Sequence, residues 1–359
     1  MVSDFERALH ILQSPDQELT REILSWLSSP TREESALFAH CFPTIDVERR
    51  RDIIARMVAC AEESFYLDYG DLFRACLGDV DPFVRRQAIE GLWEDERLDL
   101  LRRLLQLVHQ DPDPQVRAAA ATSLGRFLYL AEVEMLSARY GEQVREALER
   151  IIQNRDEDIE VVRRAVESIA FINDDDVRRI IGWAYDQDHP LMRISAVFAM
   201  GRSADPVWSE TVLIELDDAS PEMRFEAARA AGELQLRRAV PQLARLLHDP
   251  DREVQEMAIW ALGQIGGKRA RRLLEELVDS EDEVIAAAAE DALDELDFAV
   301  GMMDLMVINP DETDMVEVDL EEWDAEEELE DDFGADEDEA QDSQRDQEDD
   351  WPDEVIDLG

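Results

Sequence analysis

Seven segments of this chain fall into one register, and that repetition narrows its possible folds more than any other feature. They read DPFVRRQAIEGLW (81–93), DPQVRAAAATSLG (113–125), IEVVRRAVESIAF (159–171), HPLMRISAVFAMG (189–201), SPEMRFEAARAAG (220–232), DREVQEMAIWALG (251–263) and EDEVIAAAAEDAL (281–293). Aligned this way, the anchor apolar residues are Val84, Val116, Val162, Met192, Met223, Val254 and Val284, and five of the six intervals between them are 30 to 32 residues. The exception, Val116 to Val162 at 46 residues, carries an insertion around Leu130–Gln143 that reads as an extended helix plus a turn.

Within each unit the anchor, the residue four on and the residue eight on share one helix face. The second position is Ala88, Ala120, Val166, Ala196, Ala227, Ala258 and Ala288, small enough in most units for neighbouring helices to approach closely. A second, leucine-rich helix follows, as in LLRRLLQLV (100–108) and VPQLARLLH (240–248). Pro206 and Pro241 sit where a first helical turn accepts proline, and Asp205 is placed as an N-cap. The expectation is an all-α fold, an α-α superhelix whose stacked pairs bury a continuous core between neighbours.

The acid–proline turn, the apolar anchor followed by Arg, the small residue four on and the leucine–glycine close resemble the HEAT repeat. The likeness is strongest to the short bacterial form related to the repeats of phycobilin lyases, over about residues 78–300. It implies a solenoid scaffold with the Val-Arg helices on its concave side. Residues 1–77 are helical in spacing (DFERALHILQ, DQELTREILSWL, EESALFAHCF, ERRRDIIARMVACAEESF) but match the motif poorly. They are expected to be atypical repeats capping the N-terminal end, with a separate helical domain as the alternative. Residues 78–301 are the expected solenoid, 302–310 a C-terminal capping segment and 311–359 a disordered acidic tail.

Charge sets the tail apart. The formal net charge is −52, and residues 304–359 hold 27 of the 88 acidic residues with a single basic one, Arg345. Residues 321–350 carry too little apolar surface to offset the entropy of ordering. Such a charge opposes direct binding to nucleic-acid phosphates and favours the steering of basic partners. Near the end, Trp351, Val355, Ile356 and Leu358 restore a small apolar cluster, readable as a short linear binding motif or as incidental to a solvating tail. Cys41, Cys60 and Cys76 have neither zinc nor redox spacing and read as buried free thiols. No stretch approaches membrane-spanning length, and cytoplasmic residence is the expectation.

The residue after the anchor is Arg85, Arg117, Arg163, Arg193 and Arg224, then Gln255 and Ile285. The structural expectation is a ladder in which each Arg meets an acidic turn of a neighbouring repeat, with Asp81, Asp113 and Asp251 as the visible acids. The functional alternative is an Arg-lined groove for an anion or for the protein's own tail. Further clusters at Arg49–Arg51, Arg102–Arg103, Arg178–Arg179, Arg237–Arg238 and Lys268–Arg272 read as solvated faces or as docking points for acidic segments. Trp93, Trp183, Trp208 and Trp260 read as wedges between helices. Trp260 and Phe225, each rotated off the buried stripe, are also candidate binding anchors.

None of the five histidines is followed by Glu, so the His-Glu metal motifs of the HEAT-repeat enzyme deoxyhypusine hydroxylase are missing. No Walker loop, nucleophile elbow or G-x-G-x-x-G is present. The function expected is therefore a non-catalytic scaffold or adaptor that binds a protein partner on the concave face, without a cofactor. The tail would modulate binding or recruit basic partners. Nucleic acid, membrane and small molecules are not the expected partners. Candidate partner-binding residues are Arg193, Arg224, Phe225, Arg229, Trp260, Trp323, Trp351, Ile356 and Leu358. Two alternatives stay open. The resemblance alone suggests a phycobilin-lyase-like chromophore lyase or carrier, and the charge suggests an autoinhibited anion-binding regulator whose tail mimics nucleic acid.

Overall fold

Each repeat except the one that opens at Pro190, where His189 makes no side-chain cap bond, begins where its sequence satisfies exposed N–H groups of a first helical turn. In the computed structural model, which describes residues 3–64 and 66–307 with side chains through Phe298, Asp81 accepts a hydrogen bond from Val84 N–H, Asp113 from Gln115 and Val116, and Asp251 from Glu253 and Val254. Proline follows the cap at Pro82, Pro114, Pro190 and Pro221, where its missing N–H costs no helix bond. The helices are α1 (Asp4–Leu12), α2 (Arg21–Ser25), α3 (Arg32–Cys41), α4 (Val47–Glu62), α5 (Gly70–Cys76), α6 (Pro82–Glu90), α7 (Leu98–Gln110), α8 (Pro114–Glu132) and α9 (Ala138–Gln153). They continue as α10 (Ile159–Ile169), α11 (Asp175–Tyr185), α12 (Pro190–Arg202), α13 (Ser209–Glu215), α14 (Pro221–Glu233), α15 (Val240–Leu246), α16 (Arg252–Ile265), α17 (Gly267–Val278) and α18 (Glu283–Val307). No strand occurs among the described residues.

Residues 1–301 form the first of two units of the chain. Within the first, the chain is an all-α solenoid of two helical layers. Even-numbered helices from α4 to α16 each pack on the next even helix, and each odd helix from α5 to α15 packs on the even helix that follows it. The even layer is tightly spaced because its contact positions are small. A Cβ added at Gly201 would lie 2.7 Å from Ala230 Cα, one at Gly232 3.0 Å from Ala261 Cα, and one at Gly263 3.3 Å from Ala292 Cα. Odd helices touch one another sparingly, so the even layer is the inner side of the stack. One core of buried apolar residues runs through the unit from Phe5 to Ala292. The insertion is the continuation of α8 to Glu132 and the turn into α9. At the N-terminal end α4 stacks on α6 as the later even helices do, and α3 packs on α5.

Two anchors shift by one residue. In α18 Val284 is half-exposed, and Ile285, Ala289 and Ala292 are the buried stripe. The reason is the cap: Asp282 accepts from Val284 N–H, which opens the helix one residue later than the alignment assumed. In α10, capped by Asp158, the residues that fill the stripe are Val161, Ala165, Val166 and Ile169. With both corrections the last five anchors, Val161, Met192, Met223, Val254 and Ile285, are spaced 31 residues apart without exception. The expected wedges Trp93 and Trp183 are 61% and 42% exposed, so they are surface side chains, and Cys41 is half-buried beside buried Cys60 and Cys76. Among the described residues no helix is long and apolar enough to cross a membrane. The acidic segment 311–359, with Trp323, Trp351, Ile356 and Leu358, lies outside the described residues, as do the side chains of 302–310.

Candidate binding face

The arginines after the anchors are consumed by the stack. Arg85 grips Asp111 of the next repeat through two hydrogen bonds of 2.7 and 2.6 Å, with both side chains buried. Arg117 meets Glu157 at 2.6 Å, Arg193 meets Glu215 at 2.9 Å, and Arg224 meets Asp249 at 2.7 and 2.8 Å. One step earlier, Arg50 pairs with buried Asp79 at 3.0 Å. Three of the forks also reach back into their own turn, Arg85 to Asp79 O, Arg117 to Asp111 O and Arg224 to Asp218 O, at 2.8 to 2.9 Å. Gln255 keeps that second bond, to Asp249 O, and drops the ion pair.

This corrects the expected acids: the carboxylates of the ladder are Asp79, Asp111 and Asp249, two residues before Asp81, Asp113 and Asp251, which cap the helices. Asp113 and Asp251 accept only from their own helix N–H groups, whereas Asp81 caps its helix and also takes two hydrogen bonds from Arg51 of the preceding repeat. Arg163, displaced by the register shift in α10, bonds Glu160 and Ser195 instead of an acidic turn. Arg193 and Arg224 are thus structural pairs on the inter-repeat turns, away from the open face. Members of other clusters are paired too, Arg51 with Asp81, Arg178 with Asp205, Arg179 with Asp176 and Arg238 with Glu210, whereas Arg103 bonds Leu77 O and Gln106.

The open face of the even layer is carried by different positions. Residues six and ten beyond each anchor lie about 40° apart around a helix and about 120–160° from the centre of the stripe formed by the anchor and the residues four and eight on. From α10 to α18 they form two columns with a 31-residue period, Glu167, Phe198, Arg229, Trp260 and Asp291 in one, and Phe171, Arg202, Glu233, Gln264 and Glu295 in the other. In the middle of the face these columns interlock. The Arg202 guanidinium lies 4.5 Å from the Phe171 ring centre and 4.3 Å from that of Phe198, and Arg229 lies 3.7 Å from Phe198. Arg229 in turn pairs with Glu233 at 2.9 Å and Glu226 at 3.5 Å. Buried Glu167 accepts from Ser195 at 2.5 Å and from Arg164 at 2.7 Å.

Burial pushes the Glu226 carboxyl up to about 7; Arg229 and Arg163 oppose the shift, while the nearby Glu167 and Glu233 carboxylates add to it. One oxygen each of Glu226 and Glu233 is buried without a hydrogen-bond partner.

Of the residues singled out from sequence, Arg229 and Trp260 stand on this face. Phe225, like Trp260, packs half-buried against the core. Phe171, Phe198 and Arg202 were not singled out; the 31-residue spacing of aromatic and charged residues is the signal that finds Phe198 and Arg202, and Phe171 joins it once α10 is in register. Toward the C-terminal end the face opens into a groove of about 650 Å³ lined by Glu256, Trp260, Ala288, Asp291, Ala292, Asp294, Glu295 and Phe298. Among the described residues no three His, Cys, Asp or Glu side chains converge as metal ligands.

Comparison with known proteins follows the same lines. The family model for HEAT repeats matches residues 71–153 and 209–294. Among solved structures, the CpcE–CpcF complex of phycocyanin lyase from a Nostoc species is 16% identical, with 79% of this chain and 97% of that chain covered and a TM-score of 0.47. Human deoxyhypusine hydroxylase is 18% identical over 74% of this chain and 96% of its own, with a TM-score of 0.33. A designed armadillo repeat protein is 22% identical over 55% and 99%, with a TM-score of 0.34. These likenesses concern the fold alone. No curated protein matches the chain.

Proposed function

We infer, from the premise that this chain is a HEAT-repeat protein, that it is a non-catalytic scaffold which holds a protein partner on the face of its even helices. The observation that carries this reading is the division of labour within each repeat. Small residues and Arg–Asp forks hold the turns and the close helix contacts, whereas the columns six and ten beyond the anchors carry the large side chains Phe198, Arg229, Trp260, Phe171 and Arg202, of which Phe171 and Trp260 rest partly on the core and the two arginines lie on rings of the preceding repeat. Aromatic residues and arginine are the types that most often dominate binding energy at interfaces. The acidic segment beyond residue 303 would add long-range attraction for basic surfaces that weakens with salt.

The test is site-directed photocrosslinking in the cells that make the protein. A photoreactive residue placed at Gln264, on the inner face, should capture one discrete partner. The same residue at Arg179, on the outer helix α11, should capture none. Equal yields from both positions, or no product from either, would overturn the reading.

A further inference from the structure

The columns that interlock in the middle of the inner face are left half-made at its C-terminal end, and we propose that an arginine-bearing segment of a partner protein completes them there. The proposal rests on the reading of this face as the binding surface. In the middle, the unit of construction is an aromatic ring, a guanidinium lying on it and a carboxylate taking the guanidinium N–H groups, as in Phe198, Arg229 and Glu233. Trp93 and Arg126, with Glu96 at 2.7 Å from that Arg, repeat the arrangement further up the stack. In the groove between α16 and α18 two of the three parts are present. Trp260 and Phe298 supply rings, Phe298 being 70% exposed, and Glu256, Asp291, Asp294 and Glu295 supply carboxylates around a floor of Ala288 and Ala292. No guanidinium stacks on either ring among the described residues. Glu256 has Arg252 at 3.1 Å and Glu295 accepts from Gln264 at 2.8 Å, which holds both in place; Asp291 and Asp294 stand exposed on the rim.

Charge selects the occupant. A ring face flanked by carboxylates attracts a planar cation and repels an anion, and the guanidinium can bond a carboxylate with its edge while its plane lies on the ring. The chain's own segment beyond residue 303 is a poor occupant, since it has one basic residue, Arg345, among 27 acidic ones. The groove is open, and Trp260, Asp291 and Glu295 in its lining belong to the two columns of the face, a placement suited to an extended segment passing through.

The experiment is calorimetric titration of the full chain with acetyl-Gly-Arg-Gly-Arg-Gly-amide and with its citrulline twin, which keeps the shape and loses the charge. The wild type should bind the arginine peptide at least tenfold more tightly than the citrulline peptide, and added salt should weaken it. Trp260→Leu and Phe298→Ala should each lose about tenfold in affinity, roughly the cost of one desolvated cation–π contact. Both variants leave the net charge unchanged, so unspecific attraction to the acidic segment is the same in all three proteins. Equal affinity of wild type and Trp260→Leu overturns the proposal. So does spermidine binding that matches the peptide in strength and in dependence on Trp260, which would mark a site for small cations. Should the peptide ignore the groove while the crosslink from position 264 persists, this proposal falls and the binding face stands.

Discussion

The beginning and the end of the solenoid are built from the same repeat and differ in how much of it is closed. Around α6 and α8, Arg85 and Asp111 are both buried and fully bonded, and the exposed ring of Trp93 is covered by Arg126. Around α16 and α18 the ladder is reduced to the Gln255 amide, and Trp260 and Phe298 look out on an acidic groove. The contrast shows that one repeat can serve two purposes. Where charge and ring are paired internally, the unit is a structural block. Where one component is withheld, the same unit offers a place for a partner to supply it.

The comparison can be broken most forcefully at the buried fork. Asp111→Ala leaves Arg85 buried beside an empty turn and should cost roughly 3–5 kcal/mol, read as a lower urea midpoint. Gln255→Ala, at the equivalent place near the other end, removes one neutral hydrogen bond and should cost about 1 kcal/mol. Similar losses from the two would mean that the ends are equally braced.

A smaller effect sharpens the middle of the face. The folded-state carboxyl of Glu226 is raised, so its protonated form is the one the fold favours. The stability this gives is complete below about pH 4.5 and is lost as pH rises through about 7. Glu226→Gln, a permanent mimic of the protonated acid, should therefore stabilise the protein by about 3 kcal/mol at pH 8 and by little below pH 4.5, measured as the difference in melting temperature against wild type at each pH. A gain that does not change with pH would show that Glu226 ionises freely in the fold.

The sequence by itself determined the fold class and the stacking units. Anchors 30 to 32 residues apart, small residues four positions on and acidic caps before proline admit little else, because each such helix pair has an apolar stripe that only another pair can cover. It also announced the Arg ladder, through the recurrence of Arg after the anchor. Tertiary structure decided which acids complete it: a carboxylate can cap its own helix or bridge to the next repeat, and Asp111 and Asp113 divide those tasks by direction, which spacing alone does not encode. It likewise decided the face. Phe198, Arg229 and Trp260 already recur every 31 residues in the motif, but Glu167 and Phe171 at one end and Asp291 and Glu295 at the other join their columns only because the caps at Asp158 and Asp282 start α10 and α18 one residue away from where the motif placed them. A shift of one residue turns a helix by about 100°, enough to move a side chain from the core to the surface where a partner would meet it.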